Sequence, residues 1–252
     1  MAIGFVVAQS AGGNSTTVTT SGVNTSGATL LVMVVTGFNP PSATPTDSNS
    51  NEWIGTTAQS ATRFYYSWRK SAGVPLSVGS GHTFTWNEAV FAGIAVLAFS
   101  GTDTSADPLD TRVGNSASTS PGSITPAVSS ELFVATDGGD GSAWDAMTES
   151  TGFTLPTNGR VAYVGSTTEA AQGWYKIGTT TSAENPIFSV TGWANQIAFK
   201  PGAGGGGGRT TKNTRAFPLG MAIGMHLGEP GVYSGPMLRH NSGLYVPERM
   251  AA

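Results

Sequence analysis

Cysteine is absent from the 252 residues, which excludes disulfides, thiolate catalysis and Cys-ligated zinc. Charge is scarce as well. Asp, Glu, Lys and Arg make up 11% of the chain, against roughly 25% in an ordinary soluble domain. No stretch stays apolar over the ~18 residues that a membrane span requires. The opening Met-Ala-Ile-Gly-Phe-Val-Val lacks the basic n-region and the apolar length of a secretory leader. Action outside a cell would therefore come through lysis or as part of a particle. No basic cluster suggests a nucleic-acid footprint. Helical periodicity is nearly missing, and only residues 144–149 can form a short helical turn.

What is present points to β structure. Hydrophobic residues make up 38%, with 6 Trp, 6 Tyr and 11 Phe. That content suits a packed core and opposes disorder, which needs few aromatics and high net charge. Apolar and β-branched runs bounded by Gly, Pro, Asn and Ser predict strands near residues 4–8, 16–20, 29–36, 53–57, 64–70 and 82–86. Others are expected near 92–99, 131–136, 161–166, 173–177, 186–190 and 196–199. The runs at 30–35 and 94–99 are continuously apolar and too short for a buried helix, so they read as central strands covered on both faces. His82-Thr-Phe84-Thr-Trp86 alternates, which predicts one face in the core and one in solvent.

The two halves echo each other. Gly27-Ala-Thr-Leu-Leu-Val, Phe64-Tyr-Tyr-Ser-Trp-Arg-Lys, His82-Thr-Phe-Thr-Trp and Ala92-Gly-Ile-Ala-Val-Leu-Ala-Phe come first. Ser130-Glu-Leu-Phe-Val-Ala, Gly173-Trp-Tyr-Lys-Ile-Gly, Pro186-Ile-Phe-Ser-Val and Trp193-Ala-Asn-Gln-Ile-Ala-Phe-Lys follow. The fold expected is all-β: a jelly-roll-like antiparallel β-sandwich with two similar halves over residues 1–200. Two separate small sandwiches are the alternative.

A glycine-rich linker, 201–208, interrupts the pattern at Pro201-Gly-Ala-Gly-Gly-Gly-Gly-Gly. Its glycines have no side chains to pack and maximal backbone freedom. No Lys-Ser/Thr follows in register, so it is not a phosphate loop. Residues 209–252 form an extended C-terminal arm without a clear strand or helix period, broken by four prolines. Its net charge differs from that of the rest. Residues 1–203 hold seven Lys/Arg and thirteen Asp/Glu (7 − 13 = −6), whereas 204–252 hold five and two (5 − 2 = +3). The arm carries Phe217, Leu219, Met221, Ile223, Met225, Leu227, Tyr233, Met237, Leu238, Leu244 and Tyr245. Such a segment is too apolar for a solvated tail and too interrupted for its own core. Docking on another molecule is the favoured reading. Packing back on its own domain and plain disorder are the alternatives.

Candidate chemistry is thin. Asp137, Asp140 and Asp145 form an acidic Gly-rich loop that could offer two or three oxygens to calcium. The calcium-loop spacing is not matched, and turn chemistry explains Asp-Gly pairs. Asp103, Asp107 and Asp110 follow a buried strand and read as Asx-turns in a surface loop. His82, His226 and His240 form no metal-ligand spacing. Gly79-Ser80-Gly81 and Gly114-Asn-Ser116 lack the strand–turn–helix context of a nucleophile elbow. No catalytic, cofactor or metal site is assigned. Trp53, Trp68, Trp86, Trp174 and Trp193 fall at core-like positions. Trp144, in a polar loop, is the candidate for an exposed contact.

The phrasing Gly27-Ala-Thr-Leu-Leu-Val-Met-Val-Val-Thr, Ala92-Gly-Ile-Ala-Val-Leu-Ala-Phe-Ser-Gly-Thr-Asp with Asp107-Pro-Leu-Asp, Pro121-Gly-Ser-Ile-Thr-Pro with Glu131-Leu-Phe-Val, and Ile197-Ala-Phe-Lys-Pro resembles jelly-roll-like structural proteins of tailed bacteriophages. The resemblance covers about residues 20–201 and transfers no site residue. It implies a non-enzymatic virion protein: a decoration, head-fibre or tail-associated subunit. The expected partners are other virion proteins (capsid, portal, tail or fibre subunits) and copies of itself, as in a trimer. A carbohydrate-binding host-recognition module that contacts a surface glycan is the alternative function.

Overall fold

A computed structural model of the chain describes residues 1–203 except 39, 58, 60, 88–90, 140–141 and 162–169, together with the backbone of 237–239 and 245–247. The side chains of Ser142 and Trp144 lie outside the described set. The architecture is all-β, and a short 3-10 turn, Ser142–Ala146, is the one helical element among the described residues. No helix there is long and apolar enough to cross a membrane.

The largest sheet has five antiparallel strands in the order β1 (Gly4–Gly13), β10 (Ala92–Ser100), β3 (Leu30–Thr36), β6 (Thr62–Ser67) and β5 (Ile54–Gly55). A second sheet has four, in the order β11 (Leu109–Ser118), β16 (Gly192–Phe199), β12 (Leu132–Thr136) and β15 (Trp174–Ile177). A three-stranded sheet joins β2 (Thr17–Thr19), β9 (Phe84–Asn87) and β4 (Thr46–Asp47). Two hairpin-like pairs, β7 (Arg69–Ser71) with β8 (Val74–Pro75) and β13 (Arg160–Val161) with β14 (Ala171–Gln172), complete this part. Each of the two large sheets is drawn from one half of the chain.

The apolar runs explain the layering. Side chains alternate across a strand, so an all-apolar strand must be covered on both faces. In β3 every residue is buried. Leu30, Val32 and Val34 face Leu132, Val134, Ile197 and Phe199 of the four-stranded sheet. Leu31, Met33 and Val35 face Val18, Phe84 and Trp86 of the three-stranded sheet. The five-stranded sheet is thus a middle layer, as its sequence requires. The far face of the four-stranded sheet, with Phe133, Ala135, Ala194 and Ala198, is closed by Ile124, Met147, Phe153 and Phe188 from loops. Each fully buried Leu, Val or Phe contributes ~1.5–3 kcal/mol. In β9, Phe84 and Trp86 are buried while Thr85 is half-buried, so the alternation read from the sequence holds.

Two glycines are required by close approach. Gly101, between the two large sheets, has φ +77°, and a Cβ there would lie 2.1 Å from the Ala2 carbonyl oxygen. At Gly138 a Cβ would lie 2.8 Å from both Thr36 and Thr62 Oγ1, so glycine lets the end of β12 meet the middle sheet.

Several elements differ from the sequence expectation. β1 runs to Gly13, and its small and polar residues 8–13 pair with β10 throughout. Residues 109–118, read as loop, form edge strand β11, with register shifts near both ends. Such bulges suit an edge and weaken the alternation that marks a strand. Residues 186–190 form no strand, only a bridge between Phe188 and Glu149. The helical turn starts earlier than expected, at Ser142, and ends at Ala146.

The chain divides into two compact units, Met1–Gly208 and Arg209–Ala252. In the second, β17 (Met237–Arg239) pairs antiparallel with β18 (Tyr245–Pro247). This short pair corrects the reading of the arm as lacking strands. Three-residue strands carry too few residues for a periodic signal. Phe217, Leu219, Met221, Ile223, Met225, Leu227, Tyr233 and Leu244 lie outside the described residues, and Met237, Leu238 and Tyr245 are described in backbone only.

Candidate functional site

The most enclosed polar cluster gathers where β4 meets the segment leading into β9. Asp47 closes β4 opposite Phe84. Its Oδ1 accepts from the Asn49 backbone N–H at 2.8 Å and from Asn51 Nδ2 at 3.2 Å. Its Oδ2 accepts from Trp53 Nε1 at 2.8 Å. His82 Nε2 lies 3.1 Å from Asp47 Oδ1, with the N–H poorly directed for a hydrogen bond. On the other side of the ring, Nδ1 is 2.9 Å from Thr25 Oγ1.

Hydroxyl, imidazole and carboxylate here follow the order of a nucleophilic triad. Burial decides against that chemistry. The His82 and Asp47 side chains are fully enclosed, and Thr25 is 1% exposed. Thr25 Oγ1 also donates to the Gly79 carbonyl and accepts from the Gly79 N–H. No substrate carbonyl can approach it. The cluster is a polar staple that fixes the Asp47–Trp53 turn to two other segments.

Burial alone would push the Asp47 carboxyl up, but contacts from His82, the Trp53 indole and the Asn49 N–H outweigh it and hold the pKa below the ordinary value. A depressed carboxyl contributes stability that is present above its unfolded pKa and is lost as pH falls through the folded value. Asp47→Ala strands the Trp53 N–H and the imidazole in the interior. It is expected to cost about 3–5 kcal/mol, read as a lower midpoint in urea denaturation, with Asp47→Asn retaining part of the loss.

The other acidic candidates resolve into turns. Asp103 Oδ1 accepts from the Ser105 N–H at 2.9 Å, and Asp107 Oδ1 from the Leu109 N–H at 3.0 Å. These are the Asx-turns the sequence suggested. Asp110 instead lies in the edge strand just after Leu109, 3.4 Å from Lys200 Nζ, and accepts from the Ala127 N–H. Asp137, weighed from the sequence as a calcium ligand against plain turn chemistry, is sealed from solvent. It is 0% exposed, neither carboxyl oxygen has a hydrogen-bond partner, and burial raises its pKa to about 8. A solvent-facing cation site needs ionised, accessible oxygens. Asp145 lies in the 3-10 turn, while Asp140, His226 and His240 lie outside the described residues. Among the described residues no group of three or more His, Asp or Glu is placed to hold a metal ion.

Of the tryptophans, Trp53, Trp86 and Trp174 are buried. Trp68 and Trp193 are only partly so, which corrects their placement in the core. Trp144 lies in the 3-10 turn. Trp68 lines a cleft of about 400 Å³ with Arg69, Val74, Pro75, Thr104 and Ser105. Sequence reading missed this grouping because Thr104 and Ser105 come from the connection between halves, more than thirty residues from Trp68. The local signal was an aromatic strand ending in Trp-Arg-Lys just before a Gly-Val-Pro turn. A second cavity of about 220 Å³ lies beside Gln59, Arg112, Gly114 and Asn195.

The fold and its enclosed polar cluster define the class: an all-β, sandwich-like protein built of several antiparallel sheets. Comparison with family models, curated proteins and solved structures finds no match to this chain.

Proposed function

We propose that the chain is a non-enzymatic structural or accessory subunit of a tailed-phage virion, a decoration, head-fibre or tail-associated protein, assembled through residues 209–252. The observation that carries this reading is the contrast between the two units. The first closes its own apolar faces in three clusters. The second begins after the glycine tract and brings twelve Phe, Leu, Ile, Met and Tyr side chains on a Pro-broken segment. Apolar surface that a segment cannot bury by itself is satisfied by a partner. The partners are capsid, portal, tail or fibre subunits and other copies of the chain, as in a trimer. The sealed state of the hydroxyl–imidazole–carboxylate set supports a role without catalysis.

A sandwich of two like halves belongs to the same proposal. In the strand orders β1-β10-β3-β6 and β11-β16-β12-β15, three of the four echoed segments (closing apolar, opening apolar, aromatic) take like places, while the alternating segment is a strand in the first half only, and this supports the reading. A jelly roll would exchange strands between sheets. The order here favours halves that each contribute one of the two large sheets.

Quantitative peptide mass spectrometry on purified, salt-washed particles tests the assignment. Near-stoichiometric copies per major capsid subunit are expected for a decoration protein, and a few to a few tens per particle for a tail, fibre or vertex component. Absence from the particle overturns it.

A further inference from the structure

We propose that Lys200 and Asp110 condense into an intramolecular amide, with Glu131 as the proton shuttle. The inference does not rest on the particle assignment or on the arm, since all three residues belong to the first unit. They meet at one corner of the four-stranded sheet. Lys200 follows β16 directly, Asp110 is the second residue of β11, and Glu131 immediately precedes β12. The pairing of Leu132 with Phe199 sets Glu131 beside Lys200 in register. Lys200 Nζ lies 3.4 Å from Asp110 Oδ1.

Asp110 is the extra residue of a bulge, since Leu109 pairs with Phe199 and Thr111 with Ala198. A bulge re-aims a side chain, and this carboxyl ends 11% exposed. The Lys200 backbone is held on both sides. Its N–H donates to the Pro108 carbonyl at 2.8 Å, and its carbonyl accepts from the Asp103 N–H at 3.1 Å. Consecutive N–H groups then bring the two carboxyls together. Ala127 N–H donates to Asp110 Oδ2 at 3.2 Å, and Val128 N–H to Glu131 Oε1 at 3.0 Å. Glu131 is 0% exposed, and its Oε2 has no hydrogen-bond partner. Burial raises the Glu131 pKa, and the Asp110 charge acts in the same direction, so the protonated form is favoured. Asp103, the other acid near Lys200, is engaged by Ser105. An ordinary ion pair needs no sealed carboxyl beside it, whereas a condensation needs a proton carrier there.

The reaction needs no outside reagent. The Lys200 ammonium passes one proton to the Asp110 carboxylate, leaving an amine and a carboxylic acid. The Nζ lone pair forms a bond to Asp110 Cγ. Glu131 donates its proton to the hydroxyl oxygen on Cγ and takes one from Nζ. The Cγ–O bond breaks, water leaves, and Glu131 returns to its starting state. Two groups of one chain held in contact react far more readily than the same groups free in solution. The neutral amide also replaces a pair whose carboxylate is almost enclosed, which relieves the cost of keeping that charge from water. The bond would fasten the edge strand β11 to the end of β16, directly before Pro201 and the glycine tract.

The test is intact-mass spectrometry on the full folded chain after incubation at neutral pH, followed by protease digestion. The expected mass is that of the sequence less one water, with a branched peptide joining Asp110 to Lys200. Lys200→Arg keeps the charge pair and removes the amine, so it should hold the full mass. Glu131→Gln keeps the shape and cannot carry the proton, and should slow the loss of water about a hundredfold or more. Lys176→Arg, in the ion pair with Glu184 at 2.6 Å, should leave the loss unchanged. Melting curves establish that each variant is folded. The proposal is overturned if the folded parent keeps its full mass. It is overturned equally if the missing water maps to another residue pair or to an Asp-Gly succinimide, or if folded Glu131→Gln condenses as fast as the parent.

Discussion

Folding stability should fall by about 5 kcal/mol between pH 4 and pH 9 through one carboxyl, Asp137, and Asp137→Asn should abolish that fall. Asp137 follows directly on β12, is 0% exposed and has no hydrogen-bond partner for either oxygen. The ionised form would sit in the interior uncompensated. Burial therefore pushes the pKa to about 8, and the Gly138 N–H, too poorly placed to make a hydrogen bond, acts the other way. A folded pKa above the unfolded one means that the folded chain holds the proton longer. The stability it carries is present in full below about pH 4 and is lost as pH rises through about 8. The asparagine keeps the shape and cannot ionise. Urea midpoints across the pH range, wild type against variant, isolate this group from all others that titrate. The expected crossing has the variant clearly more stable at pH 9 and equal or slightly weaker below about pH 4. Parallel curves would mean that the carboxyl finds a partner or water in solution.

Asp137 also shows where reading by sequence stops. Asp137-Gly-Gly-Asp140-Gly is turn chemistry on paper, and turns are normally solvated. What buries Asp137 is long-range: Trp193 N–H bonds to the Gly138 carbonyl, and Gly139 bridges Ala170. Neither contact leaves a local trace. The same holds for β11. Its residues 109–118 alternate poorly because, as an edge strand with two register shifts, it buries almost nothing. The central strands are the opposite case. Leu30 to Val35 and Ile94 to Phe99 could only be strands covered twice, and the middle layer follows from them. The polar staple was half legible. His82 stood out at the start of an alternating strand, but its partners Asp47 and Thr25 lie 35 and 57 residues away and were ordinary loop residues by composition. Trp68 was legible as an aromatic strand end, while the cleft was not, since it needs the inter-sheet connection folded beside it.

Deleting residues 209–252 is expected to remove the protein from assembled particles while leaving the sandwich folded. The first half of that statement rests on apolar area. At about 25 cal/mol per Å², docking of the arm's Phe, Leu, Ile, Met and Tyr side chains supplies ample driving force even after ordering costs are met. In an oligomer several arms engage together, and each further docking event becomes intramolecular, so loss of the arms costs avidity as well as affinity. The second half rests on the core clusters. All three draw only on residues 3–199, so thermal unfolding of the truncated chain should remain a cooperative transition close to that of the full one. The decisive measurement pairs that melting curve with incorporation into particles from cells supplying either form. Loss of incorporation with a native melt supports the arm. Normal incorporation of the truncated chain refutes it and moves the contact to the sandwich surface. A collapsed melt would show that residues 209–252 pack back on their own domain, the alternative the composition left open. Met225→Asp with Leu227→Asp in the full chain separates these outcomes. Charge placed on a docking arm weakens assembly and leaves the melt alone, whereas charge placed in a packed-back segment lowers the melt.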